Sequence, residues 1–250
     1  MKQIIVSTLL VLLTITAHGQ HTWMGRIEYE RKINMHAQLE EMEKMENNSW
    51  VDKIKQQLPK FSSSYFDMFF DTSRTMYKPG RENPDGNNVF KMFGGGPATD
   101  NIVLTEFAKD SVRANKQIFD QKFFVQDSIR RIDWKEREEV RTIAGYKCHK
   151  AVGRICDSVY VVAFYTEDIP VSGGPEMFGG LPGMIMELAI PRLHTTWVAN
   201  KVEGAKPKPT DFVIEEKGKK VNEKQLGDMV WENFRKWGTM ANRNIWWTVL

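Results

Sequence analysis

Cys148 and Cys156 are the two cysteines of the chain, eight positions apart. An even count in a chain bound for an oxidising compartment reads first as a disulfide. If Ala151-Val152-Gly153 forms a three-residue hairpin loop with Gly153 in the left-handed position, Cys148 faces Cys156 across it. Closing so short a loop would stabilise the fold by roughly 2 to 3 kcal/mol. Two buried thiols, or a metal site built from Cys148 and His149, are the rival readings.

Other side chains offer further chemistries. Asp168, Glu176 and Glu187 flank a glycine-rich stretch, and neighbouring carboxylates can divide acid and base roles in a hydrolysis. His21, His36, His149 and His194 follow the first twenty residues, but none stands in a nucleophile motif, and His194 beside Thr195 and Thr196 is expected to begin a strand. Met35-His36 with Met42 and Met45, or Met184 with Met186, would present soft ligands to Cu(I). The same methionines share faces with Leu and Ile, where a flexible thioether fills irregular core space. The chain has no Gly-x-Ser-x-Gly elbow, His-Glu-x-x-His helix, Cys-x-x-Cys pair or dinucleotide fingerprint. Gly94-Gly95-Gly96-Pro97 lacks the Gly-Lys-Ser/Thr ending of a phosphate loop. No catalytic residue, metal ligand or cofactor is therefore assigned.

The elements that must position these residues are mostly strands. Residues 23–33 alternate larger apolar groups, as a half-buried strand does. Ala37 to Leu58 changes to helical spacing, with a break expected at Asn47-Asn48-Ser49. Tyr65–Phe70 and Thr75–Lys78 flank Asp71-Thr72-Ser73, a hairpin turn. Pro79 to Asp100 carries too many Pro and Gly to be regular and reads as a long loop. Strands are expected at 102–107, 111–119, 122–126, 134–138, 146–152, 158–165, 184–190 and 195–203, with connections too short for crossover helices. In the penultimate strand Met184, Met186, Leu188 and Ile190 are expected on one face, with Ile185 and Glu187 on the other. Asn222 with Gln225 opens a second amphipathic helix whose stripe is Leu226, Met229, Val230, Phe234 and Trp237. The final Asn244-Ile245-Trp246-Trp247 either packs back or stays exposed.

Lys2, the apolar run Ile4–Ala17 and the small residues of Ala17-His18-Gly19 make residues 1–19 a signal peptide, with cleavage before Gln20. The run is too short to span a bilayer, and nothing after residue 20 has membrane length, so no transmembrane segment is expected after processing. Processing removes Lys2 and no acid, which leaves 34 basic against 32 acidic side chains. So small an excess gives no electrostatic footprint for nucleic acid. With 41% hydrophobic and 27% charged residues among 250, and no composition break, residues 20–250 read as one folded domain beyond the inner membrane, in the periplasm.

The most distinctive word is Phe178-Gly179-Gly180-Leu181-Pro182-Gly183-Met184-Ile185-Met186-Glu187. Leu181-Pro182-Gly183-Met184 suits a type II turn, since Pro presets one central residue and Gly accepts the positive φ of the next. This stretch resembles the signature of the GLPGLI family of exported bacterial proteins, with Met184 in place of the second Leu. Asp133-Trp134-Lys135, Thr142–Ala151, Phe164–Pro170 and Gly174-Pro175 occur in the order that family shows. The resemblance implies an envelope protein of unassigned activity, often associated with outer-membrane transport systems. It carries over no catalytic residue, and the short Gly153–Asp157 stretch departs from the usual hairpin.

These observations lead to an α+β, mainly β fold: a single curved antiparallel sheet, a half-barrel like the bacterial lipoprotein carriers, covered by two amphipathic helices. An apolar groove lined by Trp134, Phe164, Met184, Met186 and Leu188 would admit a lipid or peptide, with Gly180, Leu181, Pro182 and Gly183 turning the chain beside it. The function expected is non-enzymatic binding or chaperone-like service to an outer-membrane receptor or lipoprotein. A copper-binding protein and an envelope hydrolase are the alternatives.

Overall fold

The computed structural model describes residues 21–46, 55–83, 98–118, 121–156, 158–234, 246–248 and 250. The expected signal peptide, the break at Asn47-Asn48-Ser49, Gly94-Gly95-Gly96-Pro97, Trp237 and Asn244-Ile245 lie outside the described residues.

Twelve strands join one sheet: Gly25–Asn34 (β1), Phe61–Phe70 (β2), Arg74–Pro79 (β3), Ile102–Glu106 (β4), Ser111–Ile118 (β5), Gln121–Asp127 (β6), Lys135–Ile143 (β7), Tyr146–Ile155 (β8), Val159–Thr166 (β9), Met184–Ile190 (β10), Thr195–Glu203 (β11) and Lys219–Val221 (β12). Their order is β12-β6-β5-β4-β3-β2-β1-β11-β10-β9-β8-β7. Two meanders therefore meet at β1, one running forward through β6 and the other backward from β11 to β7. The sheet is curved and does not close on itself, so the architecture is a half-barrel. It is mixed rather than wholly antiparallel, because β12 pairs with β6 in parallel. The chain between these two paired strands, residues 128–218, runs through β7 to β11 before it returns to β6.

Turn chemistry sets the hairpins. The Asp71 carboxylate accepts hydrogen bonds from the Ser73 and Arg74 amides and from the Ser73 hydroxyl, closing β2 onto β3. Ala144 and Gly145 both adopt positive φ, 49° and 86°, between β7 and β8, the signature of a two-residue type I′ turn. β7 lies at one margin of the sheet, and Lys135 to Thr142 are all exposed there, six of those eight residues being charged.

Alternation along β1 buries Ile27, Tyr29, Arg31 and Ile33 on the inner face. Register carries that parity sideways: Tyr29 stands opposite Phe66 and Ala199, Arg31 opposite Ser64 and Trp197, and Trp197 opposite Leu188. Strict alternation fails in β10, where a register shift between Ile185 and Glu187 inserts an extra residue and Met184, Ile185 and Met186 are all buried. The single apolar face expected for Met184, Met186, Leu188 and Ile190 is thus interrupted by a bulge.

Helix Met35–Glu46 (α1) packs against β2, in the middle of the strand order, and helix Glu223–Phe234 (α2) against β6, next to one margin. Asn222 and Gln225 cap α2 reciprocally, with Gln225 N–H donating to Asn222 Oδ1 and Asn222 N–H to Gln225 Oε1. Leu226 and Val230 of its expected stripe are buried. The loop of residues 167–183 shares the cover of the sheet, with Ile169, Val171, Phe178 and Leu181 buried in the common core. Trp247 and Leu250 complete it, so the C-terminal segment packs back. The loop and the C-terminal segment thus share the cover of the sheet with the two twelve-residue helices.

Candidate functional site

The inner face carries charges where alternation would place apolar groups. Arg31 follows Ile27 and Tyr29 on β1, and Lys116 follows Val112 and Ala114 on β5; Arg31 is 0% exposed and Lys116 4%. Buried cations are costly unless partnered. Glu176, 2% exposed, answers them from the loop that covers the sheet. Its Oε2 accepts a hydrogen bond from Asn101 Nδ2 at 2.8 Å, and Tyr77 on β3 stands close enough to feel its charge. The Tyr77 hydroxyl in turn accepts the indole N–H of Trp197 on β11 at 3.1 Å.

Burial raises the Glu176 carboxyl above its ordinary value, opposed by the Asn101 hydrogen bond and the charges of Arg31 and Lys116. Desolvation pushes Lys116 down to about 8, helped by repulsion from Arg130. Glu176 also has a left-handed φ of 56°, a conformation that a non-glycine residue holds only when its surroundings impose it.

The same cations grip the C-terminal segment. Lys116 Nζ donates to the main-chain oxygens of Thr248 and Leu250. The Arg31 guanidinium lies 5.8 Å from the Trp247 ring centroid and 5.0 Å from that of Phe66 and donates to the Ala98 carbonyl at 3.1 Å. One polar cluster thus fastens three separate pieces, the loop, the turn before β4 and the C-terminal segment, to the inner face.

The expected groove residues do not converge. Leu188 stands on the inner face opposite Trp197, and Met184 packs against Gly173 of the loop. Phe164 pairs with Glu187 on the outer face, beneath the Arg141 guanidinium at 4.1 Å. Met186 is fully buried at the bulge. Trp134 lies over Gly153, where a Cβ would come within 2.9 Å of its ring, and its indole N–H donates to the Gly179 carbonyl at 2.9 Å. A recess between Thr75, Arg130, Ser172 and Phe178 has room for about one water molecule.

The signature turn is built differently from the type II reading. Positive φ falls at Gly180, 87°, and not at Gly183. The Met184 amide donates to Ile169 O, pairing the segment with the start of the loop. Gly183 is required for another reason, since a Cβ there would sit 2.0 Å from Thr166 O. The Gly180 amide is held by the Ser172 hydroxyl at 2.9 Å, and Leu181 and Pro182 carry the chain from there into β10.

The expected disulfide is likewise corrected. Ala151-Val152-Gly153 is strand rather than loop, so Cys148 and Cys156 lie along β8 and its end, about 26 Å apart at the rise of an extended chain. A disulfide needs Cα atoms within about 7 Å. Cys148 is buried, which pushes its thiol up to about 12, and the carboxylates of Asp168 and Glu187 add to the shift. Cys156 is exposed.

Glu187 and Glu176 are separated: Glu187 pairs with Arg141 at 3.2 Å on the outer face, whereas Glu176 is sealed among the inner-face cations; Asp168 and Glu187 both act on the Cys148 thiol. His149 lies beside Tyr165, ring centroids 6.2 Å apart, and His194 pairs with Glu41 at 3.1 Å. Among the described residues no three His, Cys, Asp or Glu side chains gather into a metal-binding group.

A family model described as a protein of unknown function (Porph_ging) matches residues 154–187, from the end of β8 through the signature into β10. No curated protein matches the chain. Among solved structures, PNGF-II in its P21 crystal form is similar at a TM-score of 0.53 and 14% identity over 84% of this chain and 34% of that one. Its C2 form scores 0.52 at 14% identity, over 84% and 33%. This chain therefore spans about a third of the PNGF-II chain. The MucA/MucB complex of Pseudomonas aeruginosa scores 0.40 at 10% identity, over 81% of this chain and 59% of that one, too low to bear on the fold.

Proposed function

We propose that the chain is an exported, non-enzymatic binding or chaperone-like accessory protein of the bacterial cell envelope and a member of the GLPGLI family. In this reading residues 1–19 are a signal peptide, and residues 20–250 are one domain that works in the periplasm beside an outer-membrane transport system. The signature Phe178–Glu187 and its ordered companions support family membership, and the family model of unknown function overlaps them. No helix among the described residues is long and apolar enough to cross a membrane.

The observation that carries the binding function is the cover of the inner face. A curved sheet closed partly by a loop and a C-terminal segment, both held by a few polar contacts at Lys116, Arg31 and Glu176, forms a receptacle whose resident belongs to the same chain. Withdrawal of that segment would bare apolar wall, the surface that takes a lipid or apolar peptide. Native mass spectrometry of protein gently purified from the periplasm tests this reading. A bound lipid or peptide is expected, and repeated recovery of clean, ligand-free chain would overturn it.

A further inference from the structure

The outer face of the sheet is covered over β3 and β4, where Phe212 packs against Met76 and Leu104. Over β7, β8 and β9 it meets solvent, and the strand register defines what it displays. Lys135 stands opposite Val152 and Val152 opposite Val162; Arg137 stands opposite Lys150, and Arg154 opposite Tyr160. These residues share the outward phase, because Ala151, Gly153 and Ile155, which alternate with them on β8, are buried on the inner face. Tyr160 is 61% exposed, with Val152 and Val162 half-buried on the same face.

Charge is segregated between the two faces of β7. Lys135, Arg137 and Arg141 are directed outward, whereas Glu136 turns inward and accepts a hydrogen bond from the Tyr165 hydroxyl at 2.9 Å. The outward carboxylates, Glu139 and Glu187, are engaged by Arg141 and Lys150 at 2.6 to 3.2 Å. Lys135, Arg137 and Arg154 are exposed and have no carboxylate partner among the described residues. Three uncompensated cations therefore surround an exposed tyrosine and two valines.

We propose that the outer face of β7–β9 is a docking surface for an anionic phospholipid bilayer, with Lys135, Arg137 and Arg154 meeting lipid phosphates and Tyr160 entering the head-group layer. Basic side chains near an anionic leaflet gain from its surface potential without needing a matched contour. Long Lys and Arg stems lie along apolar surface while their heads stay in the polar layer, and a tyrosine ring with a wet hydroxyl suits the same depth. The surface lies on the opposite side of the sheet from the receptacle, so a docked molecule keeps its inner face available. It goes beyond the receptacle reading and stands or falls independently of it.

Co-sedimentation of the full chain with vesicles of phosphatidylcholine alone, or with about 30% phosphatidylglycerol added, provides the test. Partition into the anionic vesicles is expected to be stronger by about tenfold or more at low salt. It should vanish at an ionic strength of about 1 M, where charges are screened beyond about 3 Å. The combined variant Lys135→Gln, Arg137→Gln and Arg154→Gln is expected to lower that partition by about tenfold or more. Tyr160→Ser is expected to weaken it as well. A second combined variant, Lys122→Gln, Lys206→Gln and Lys208→Gln, removes as many exposed cations away from β7–β9 and is expected to leave partition nearly unchanged. Should the first combined variant fail to fold, the paired vesicles and Tyr160→Ser still decide. Equal partition into the two vesicles, full partition by the first variant, or an equal loss in the second would overturn the surface. Binding to poly-glutamate without binding to either vesicle would overturn the bilayer and put an acidic polypeptide in its place.

Discussion

The indole N–H of Trp134 donates to the main-chain oxygen of Gly179 at 2.9 Å, joining the residue that leads into the margin strand β7 to the glycine that opens the signature turn. Trp134→Phe keeps the ring over Gly153 and removes the bond. It is expected to destabilise by about 1 kcal/mol, the usual net worth of such a bond, whereas Trp134→Ala also loses the packing and costs more. Urea denaturation of the three chains checks the order.

Gly180 and Gly183 are glycines for different reasons, and substitution should separate them. Gly180→Ala meets mainly backbone strain at positive φ, on the order of 1 kcal/mol, with Trp134 no closer than 3.7 Å to the new atom. Gly183→Ala drives a Cβ to 2.0 Å from a main-chain oxygen that cannot yield without opening β9, and is expected to cost more than about 3 kcal/mol. Thermal melts in parallel compare the two, and a milder Gly183→Ala would contradict the close approach.

Glu176 is the counterion of the interior. Glu176→Leu leaves Arg31 and Lys116 without it and is expected to destabilise by about 3 kcal/mol or more, since breaking a buried pair strands the partner charge. Glu176→Gln preserves hydrogen bonding and should cost less. Chemical denaturation at neutral pH measures both.

Lys116 makes stability depend on pH in the alkaline range. Its folded value of about 8 lies below the ordinary 10.5, so between these limits the unfolded chain holds the proton that the folded chain has released. Stability contributed by this group therefore rises with pH across that window, by up to about 1.4 kcal/mol per pH unit for one proton. Lys116→Met is expected to remove that rise from a denaturation series run from pH 7 to 11.

The two thiols should behave independently. With β8 extended between them, both are expected to titrate under denaturing, non-reducing conditions, Cys156 alone reacting quickly in the native state. Added reductant is expected to leave the melting temperature unchanged.

Most strands, the Asp71 turn and the Asn222 cap were legible because each is a local pattern: alternation, a short polar trio, a reciprocal side chain three residues on. The Cys148–Cys156 pairing was misread because Ala151-Val152-Gly153 has the composition of a turn. Gly153 instead answers a distant demand, the rings and methyls of Trp134 and Ile132 lying on it. The face of β10 was misread because a bulge leaves no trace in apolar spacing. The polar cluster was half visible: Arg31 and Lys116 stand on the apolar phase of their strands, a signal that a charge is being kept inside. That Glu176 would meet them, rather than join Asp168 and Glu187, depends on a loop folding across five strands, which no short-range pattern encodes.

An open half-barrel has two raw margins, and an unpaired ribbon of amides invites fibre growth. At β7 any second molecule adding itself there would have to strip water from alternating acidic and basic groups along nearly the whole ribbon. The fold thus stays open without becoming self-adhesive along that ribbon.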